Sequence, residues 1–144
     1  MTRHKGKFLP VPNPATRPFW DACKRRELLI QKCPDCGAHQ FYPRALCTSC
    51  GSLNLNWMRA SGAGTVVSWT VVRHPVSPAY AEDVPFVIAL VELEEGPRMM
   101  SQIVACDPET VQSGMPVEVC FEDWTDDITM PNFRRRDTGA PDRE

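Results

Sequence analysis

Residues 33–51 read CPDCGAHQFYPRALCTSCG, and they decide the first half of the fold. Cys33/Cys36 and Cys47/Cys50 form two Cys-x-x-Cys clips, and four thiols in two tight clips can close a tetrahedron around one metal ion. Glycine follows each clip, at Gly37 and Gly51, and supplies the positive-φ turn that lets backbone amides point back at the sulfurs. The pattern predicts a zinc ribbon. An S₄ site accepts iron with the same ligands, so the spacing does not separate the two metals; nothing else in the chain resembles an electron-transfer module, which favours zinc. Residues 1–30 contain no secretory apolar region, and paired clips in a cytoplasmic protein are metal sites more often than disulfides. Cys23, Cys106 and Cys120 lack clip spacing and read as small buried hydrophobes.

On the N-terminal side, residues 1–15 carry Pro10, Pro12 and Pro14 with little apolar periodicity, and read as an extended arm rather than packed structure, free to dock on a partner. A helix is predicted from Thr16 as cap to about Glu27, with Phe19, Ala22, Cys23 and Arg26 on one face and Trp20 alongside. Its aromatic residues beside Lys24-Arg25-Arg26 pack on their own domain or on another chain. Leu28 to Lys32 and His39 to Arg44 form the hairpin that carries the clips, so helix and ribbon together span 16–57. A ribbon this small draws its folding free energy largely from the bound ion, and acid should strip that ion by protonating the thiolates.

Beyond Trp57 the pattern turns to strands. Thr65–Arg73 has β-branched or apolar residues on both faces, Val84–Leu93 is nearly continuous apolar sequence, and Glu94-Glu95-Gly96-Pro97 turns it into Met99–Ala105. Asp107 to Thr110 begins a single helical turn that Gly114 stops, and Val117, Val119 and Phe121 alternate in a last amphipathic strand. About five strands with a short helix before the last ones predict a Greek-key barrel of the OB type over 58–124. Residues 125–144 read as a polar tail apart from Met130 and Phe133. The fold class is therefore mainly β, with an N-terminal helix and a rubredoxin-like zinc ribbon ahead of a five-stranded barrel.

A chain of 144 residues with 42% apolar content supports a modest core, and no stretch approaches a membrane span. The formal net charge of −2 hides an asymmetry: residues 1–60 hold ten Lys/Arg against three Asp/Glu, and the remainder six against fifteen. The acidic barrel half argues against nucleic acid, whose binding is dominated by phosphate neutralisation. Catalytic constellations are missing as well. His4, His39 and His74 are scattered, and no nucleophile elbow, phosphate-cradling loop or His-Glu-x-x-His motif occurs. Four thiolates would leave the metal no open position for a substrate.

Pro18-Phe19-Trp20, the Leu-Leu-Ile-Gln-Lys entry to Cys33, Tyr42-Pro43-Arg44, Ser61-Gly62-Ala63-Gly64-Thr65-Val66, Val84-Pro85-Phe86, the Glu92 to Met100 stretch and Gly114-Met115-Pro116-Val117 extend the signal well past the clips. As an ensemble, across residues 10–133, the chain resembles the zinc-ribbon/OB-fold proteins associated with acyl-CoA metabolism, first known only as a domain of unknown function. Thr48 stands where that family usually has proline in the second clip, which leaves the ligands intact. The resemblance implies a non-catalytic accessory subunit that binds a thiolase-superfamily enzyme, a thiolase, acyltransferase or aldolase, sometimes beside a hydratase. Such a subunit helps hold a coenzyme A thioester while a carbon–carbon bond is made or broken. On that footing Phe19 and Trp20 are candidate interface anchors, Lys24, Arg25, Arg26 and Arg44 candidates for the nucleotide end of CoA, and Trp69 and Phe86 for its pantetheine or acyl part. The expectation is a cytoplasmic hetero-oligomer. Two rivals from other classes are a single-stranded nucleic-acid-binding OB protein and a rubredoxin-like electron carrier, the latter recognisable by a red, iron-loaded preparation.

Overall fold

The computed structural model describes residues 6–137. His4, the start of the arm and the last residues of the predicted tail lie outside that range. Helix α1 (Arg17–Lys24) opens the fold, and is entered by a reciprocal pair in which Asn13 N donates to Thr16 Oγ1 and Thr16 N to Asn13 Oδ1, both 3.0 Å. Thr16 thus caps through the preceding turn and not through its hydroxyl on the helix. At the other end Glu27 N donates to Ala22 O and Arg26 N to Cys23 O, a Schellman closure with Arg26 at φ 63°. A non-glycine residue is unfavourable in that region; here its guanidinium grips both Asp123 oxygens, at 2.8 and 3.0 Å. That pairing holds the Asp123 carboxyl well below its usual range.

Strands β1 (Leu29–Lys32), β2 (His39–Gln40) and β3 (Asn56–Arg59) form the ribbon sheet in the order β2-β1-β3. Because Leu29 pairs with Arg59, the ribbon sheet runs through Arg59, two residues beyond the predicted boundary at 57. The barrel follows, closed in the order β4-β5-β6-β8-β7, from β4 (Ala63–Val72), β5 (Phe86–Leu93), β6 (Arg98–Val104), β7 (Pro116–Asp123) and β8 (Thr129–Arg135). All its pairings are antiparallel except β6 with β8. Single 3₁₀ turns sit at Pro78–Tyr80 and Pro108–Thr110, the second capped by the Asp107 carboxylate accepting from Glu109 N at 3.0 Å.

Two expectations are corrected. Residues 129–135, read as tail, are the closing barrel strand: Phe133 is fully buried, and β8 pairs along its length with β7. The misreading has a local cause, since Pro131, Asn132 and three arginines at 134–136 dilute any period-2 signal. The arm is also not free of the fold. Lys7 is inserted against the barrel, paired with Asp83 and lying 5.3 Å from the Tyr80 ring and 5.0 Å from that of Trp124.

The core is continuous between the two sheets. Val66, Val87, Val91, Leu93, Met99, Val117 and Phe133 fill the barrel, while Phe19, Cys23, Leu28 and Ile30 from α1 and the ribbon join the same cluster. Gly64 has no room for a side chain, because a Cβ there would lie 2.7 Å from Glu92 O.

Candidate metal site and adjoining cleft

The four clip sulfurs lie within 4.8 Å of one another, with Cys33 to Cys50 and Cys36 to Cys47 each at 3.6 Å. Tetrahedral zinc at a Zn–S distance of about 2.3 Å requires sulfur separations of about 3.8 Å, so the set fits the ion it was expected to hold. The two clips are built alike. Cys33 N donates to Ala38 O and Gly37 N back to Cys33 O; Cys47 N donates to Ser52 O and Gly51 N back to Cys47 O. Gly37 and Gly51 sit at φ 78° and 82°, as the turn chemistry requires. The backbone N–H groups of Cys50 and Ser49 point at Cys47 Sγ and draw its thiol down to about 6. At Cys50 the Ser52 N–H also pulls down, but the crowding of the other three sulfurs outweighs it and pushes that thiol the opposite way, so the four thiols share charge unequally until a cation joins them. Cys23 is different: burial in the core pushes its thiol up to about 12, and burial raises Cys106 and Cys120 as well.

Beneath the metal site lies a polar knot that periodicity did not reveal. Gln40 Nε2 donates to Gln31 Oε1 at 2.8 Å, and Arg44 N donates to the same oxygen at 2.9 Å. Gln31 Nε2 returns a bond to Arg44 O at 2.9 Å. Thr48 donates to Gln40 Oε1 through both N (3.0 Å) and Oγ1 (3.2 Å), which a proline at this position would not do. Both glutamines are buried. They fasten the ribbon hairpin to the 41–48 loop, and so fix Tyr42 and Arg44 relative to the second clip. Gln31→Leu would leave Arg44 N and O without their side-chain partner and Gln40 Nε2 with only its 3.3 Å bond to Leu46 O, at a cost of about 1–3 kcal/mol. Thermal unfolding measures that loss, and an unchanged midpoint would show that the knot holds nothing.

Next to this loop a cleft of about 700 Å³ opens between α1, the ribbon loop and the barrel. Its walls are mainly apolar, from Trp20, Phe41, Phe86, Ile88, Met99 and Met130, with Arg44 and Tyr42 from the ribbon and Lys7 from the arm. Tyr42 and Met100 are also well exposed, at 49% and 58%. The volume lies in the range that takes a small organic ligand.

Of the candidates read from sequence, the cleft gathers Phe19, Trp20, Arg44 and Phe86. Phe19 is only 4% exposed, packed edge-on to Trp20 and Phe41 at 4.9 and 5.3 Å, and belongs to the core, so it is not available as a docking anchor. Lys24, Arg25 and Arg26 are not among the lining residues. Lys24 Nζ donates to Asp126 O at 2.9 Å, Arg25 lies 3.5 Å from Glu27, and Arg26 is committed to Asp123. The basic cluster is therefore largely a staple of the helix onto the β7–β8 turn. Trp69, 39% exposed on β4, also lies outside the cleft lining. Sequence reading missed Lys7, Gln31, Gln40, Gln102 and Asn132; only their polar character inside otherwise structured segments could have drawn attention to them.

Residues 20–56 match the family described as ChsH2, rubredoxin-like zinc ribbon domain, and residues 57–122 the one described as ChsH2, C-terminal OB-fold domain. A probable enoyl-CoA hydratase alpha subunit from Thermomonospora curvata is 38% identical over 138 residues, 93% of this chain and 42% of the relative. The 3-oxo-4,17-pregnadiene-20-carboxyl-CoA hydratase alpha subunit of Mycobacterium tuberculosis is 43% identical over 108 residues, 75% and 34% of the two. The chain thus spans well under half the length of these two relatives. A DUF35 domain-containing scaffold protein from Methanothermobacter thermautotrophicus is 38% identical over 116 residues, which cover 77% of this chain and 86% of that one. Among solved structures, a chain of the Ltp2-ChsH2(DUF35) aldolase superposes with a TM-score of 0.80 at 35% identity, over 88% of this chain and 98% of that chain. Zinc ribbon, closed barrel and relatives agree, and the chain belongs to the DUF35 family of ChsH2-type zinc-ribbon/OB-fold proteins.

Proposed function

We propose that this chain is an accessory subunit that binds a thiolase-superfamily enzyme of the aldolase, thiolase or acyltransferase kind and holds part of its acyl-CoA substrate in the cleft. The observation that carries the reading is the cleft itself: a mainly apolar, ligand-sized space walled by Trp20, Phe41, Phe86, Ile88, Met99 and Met130 beside the exposed Arg44. Such a surface suits binding and orienting a ligand, and the reading assigns the nucleophile, general base and oxyanion hole to a partner. Relatives point the same way, one being part of an aldolase complex and two being hydratase alpha subunits by name. A hydratase is accordingly a second candidate partner.

Within this reading Arg44 is the cation best placed for the phosphates of CoA, and Phe86 borders the acyl or pantetheine portion. The metal is structural zinc, held by Cys33, Cys36, Cys47 and Cys50, and its task is to keep the ribbon loop and Arg44 in position. Trp20, half-buried at the mouth, is the remaining aromatic anchor.

Copurification from the native host, with identification of the bound chain, tests the assembly directly. Activity assays of each chain alone and mixed test the division of labour, with turnover on acyl-CoA expected only from the mixture. Trp20→Ala should weaken assembly by about 2 kcal/mol, read by titration calorimetry. Turnover by this chain alone, or assembly insensitive to Trp20 and to the ribbon loop, would overturn the proposal.

A further inference from the structure

The inner end of the cleft is polar: Lys7 and Asp83 pair with each other there, beside two carboxamides. Strands β6 and β8 meet in parallel only at Ile103–Phe133 and Val104–Arg134. One residue earlier on each strand stands a carboxamide, Gln102 on β6 and Asn132 on β8. Both line the cleft, and both also line an adjoining cavity of about 280 Å³. Asn132 is 5% exposed, and among the described residues neither its side chain nor that of Gln102 makes a hydrogen bond; the amide atoms of both remain accessible from the cleft. Neighbouring polar groups behave otherwise: Ser101 Oγ donates to Pro131 O at 2.9 Å, and Lys7 pairs with Asp83.

An amide that faces a cleft of mainly apolar walls with no protein partner is satisfied only by water or by a ligand, and leucine would fill the volume of Asn132 without that need. Two carboxamides lining the same two cavities each offer N–H donors, and a carbonyl oxygen has two lone pairs to receive them. The walls leading to this spot are apolar, from Ile88, Met99 and Met130. We propose that Gln102 and Asn132 form a carbonyl-reading subsite, donating to one carbonyl oxygen of a ligand whose body fills the apolar cleft. The inference rests on the reading that the cleft holds an acyl thioester. Such a ligand offers three kinds of carbonyl: the thioester itself, the two amides of its pantetheine arm, and any oxo group on its acyl body; pantetheine and progesterone as probes separate the last two.

Trp20 and Trp124 line the cleft and report occupancy through their fluorescence. The full chain is titrated with pantetheine, with progesterone as a rigid apolar diketone, and with androstane as a hydrocarbon of similar shape. Wild type should bind at least one carbonyl probe. Asn132→Leu and Gln102→Leu should each weaken that probe about tenfold, the loss of one hydrogen bond to a buried group, without weakening androstane. Sensitivity of pantetheine assigns the carbonyl to the CoA arm, and sensitivity of progesterone assigns it to the acyl body. Should Asn132→Leu fail to fold, Gln102→Leu at its half-buried position decides alone. Carbonyl probes that bind wild type and variants equally, or that do not bind wild type, overturn the subsite. Assembly of the same variants with the partner enzyme is measured separately, so that a failed subsite and a failed accessory role give different results.

Discussion

Cys47→Ser is expected to abolish zinc binding and unfold the ribbon, while Cys120→Ser, a half-buried thiol on the barrel, leaves metal content unchanged. Cys47 is the ligand most engaged by its surroundings. It is buried at 1% exposure, and two backbone N–H groups converge on its sulfur at 3.3 and 3.4 Å. Serine places an oxygen of much lower zinc affinity at that vertex and leaves three sulfurs around an ion that a closed structural site holds with four. The ribbon sheet has strands of four, two and four residues, too little to fold without the ion, whose binding supplies on the order of 10 kcal/mol in sites of this kind. The damage should spread, because Leu28 and Ile30 belong to the core shared with the barrel, and Gln31 and Gln40 position Tyr42 and Arg44 on the cleft. Metal analysis should give one zinc per wild-type chain and none in Cys47→Ser, with a lowered melting temperature. Full occupancy in the variant, or an intact ribbon without metal, would remove zinc from the account of stability.

The metal site was legible because its signal is local: ligand type, spacing and the following glycine all fall within residues 33–51. Strands β4 to β7 were legible for a similar reason, since each carries its own run of apolar or alternating residues. The cleft was not. Its walls come from the arm, α1, the 41–44 loop, β5, β6 and β8, and no short-range pattern records that Arg44 and Phe86 face one space. Basic residues beside aromatics suggested a ligand site on the helix, whereas Arg26 and Lys24 serve the β7–β8 turn through Asp123 and Asp126. Long-range ion pairs of this sort depend on tertiary geometry alone. Buried Gln31, Gln40 and Asn132 escaped for the opposite reason, since polar residues inside strands look like solvent-facing positions until the fold covers them.

Phe133→Ala is expected to cost about 3–5 kcal/mol, the effect of emptying an aromatic site in a packed core. Phe133 has no exposed surface and sits where the barrel closes, paired to Val119 of β7 on one side and to Ile103 of β6 on the other. The β6–β8 seam is short, with only two register pairs, so side-chain packing must carry what few backbone bonds supply there. Loss of the ring therefore weakens closure where the barrel has least redundancy. Removing the chain from residue 129 onward should be more severe: it deletes β8, leaves the free edge of β7 unpaired from Val117 to Asp123, and removes Met130 and Asn132 from the cleft. Denaturant unfolding measures the Phe133→Ala loss, and near-ultraviolet circular dichroism tests whether the truncated chain keeps fixed packing around Trp124, which precedes β8. A truncated chain as cooperative and stable as the full one would mean that the barrel closes without this strand, and would return residues 125–144 to the status of a tail.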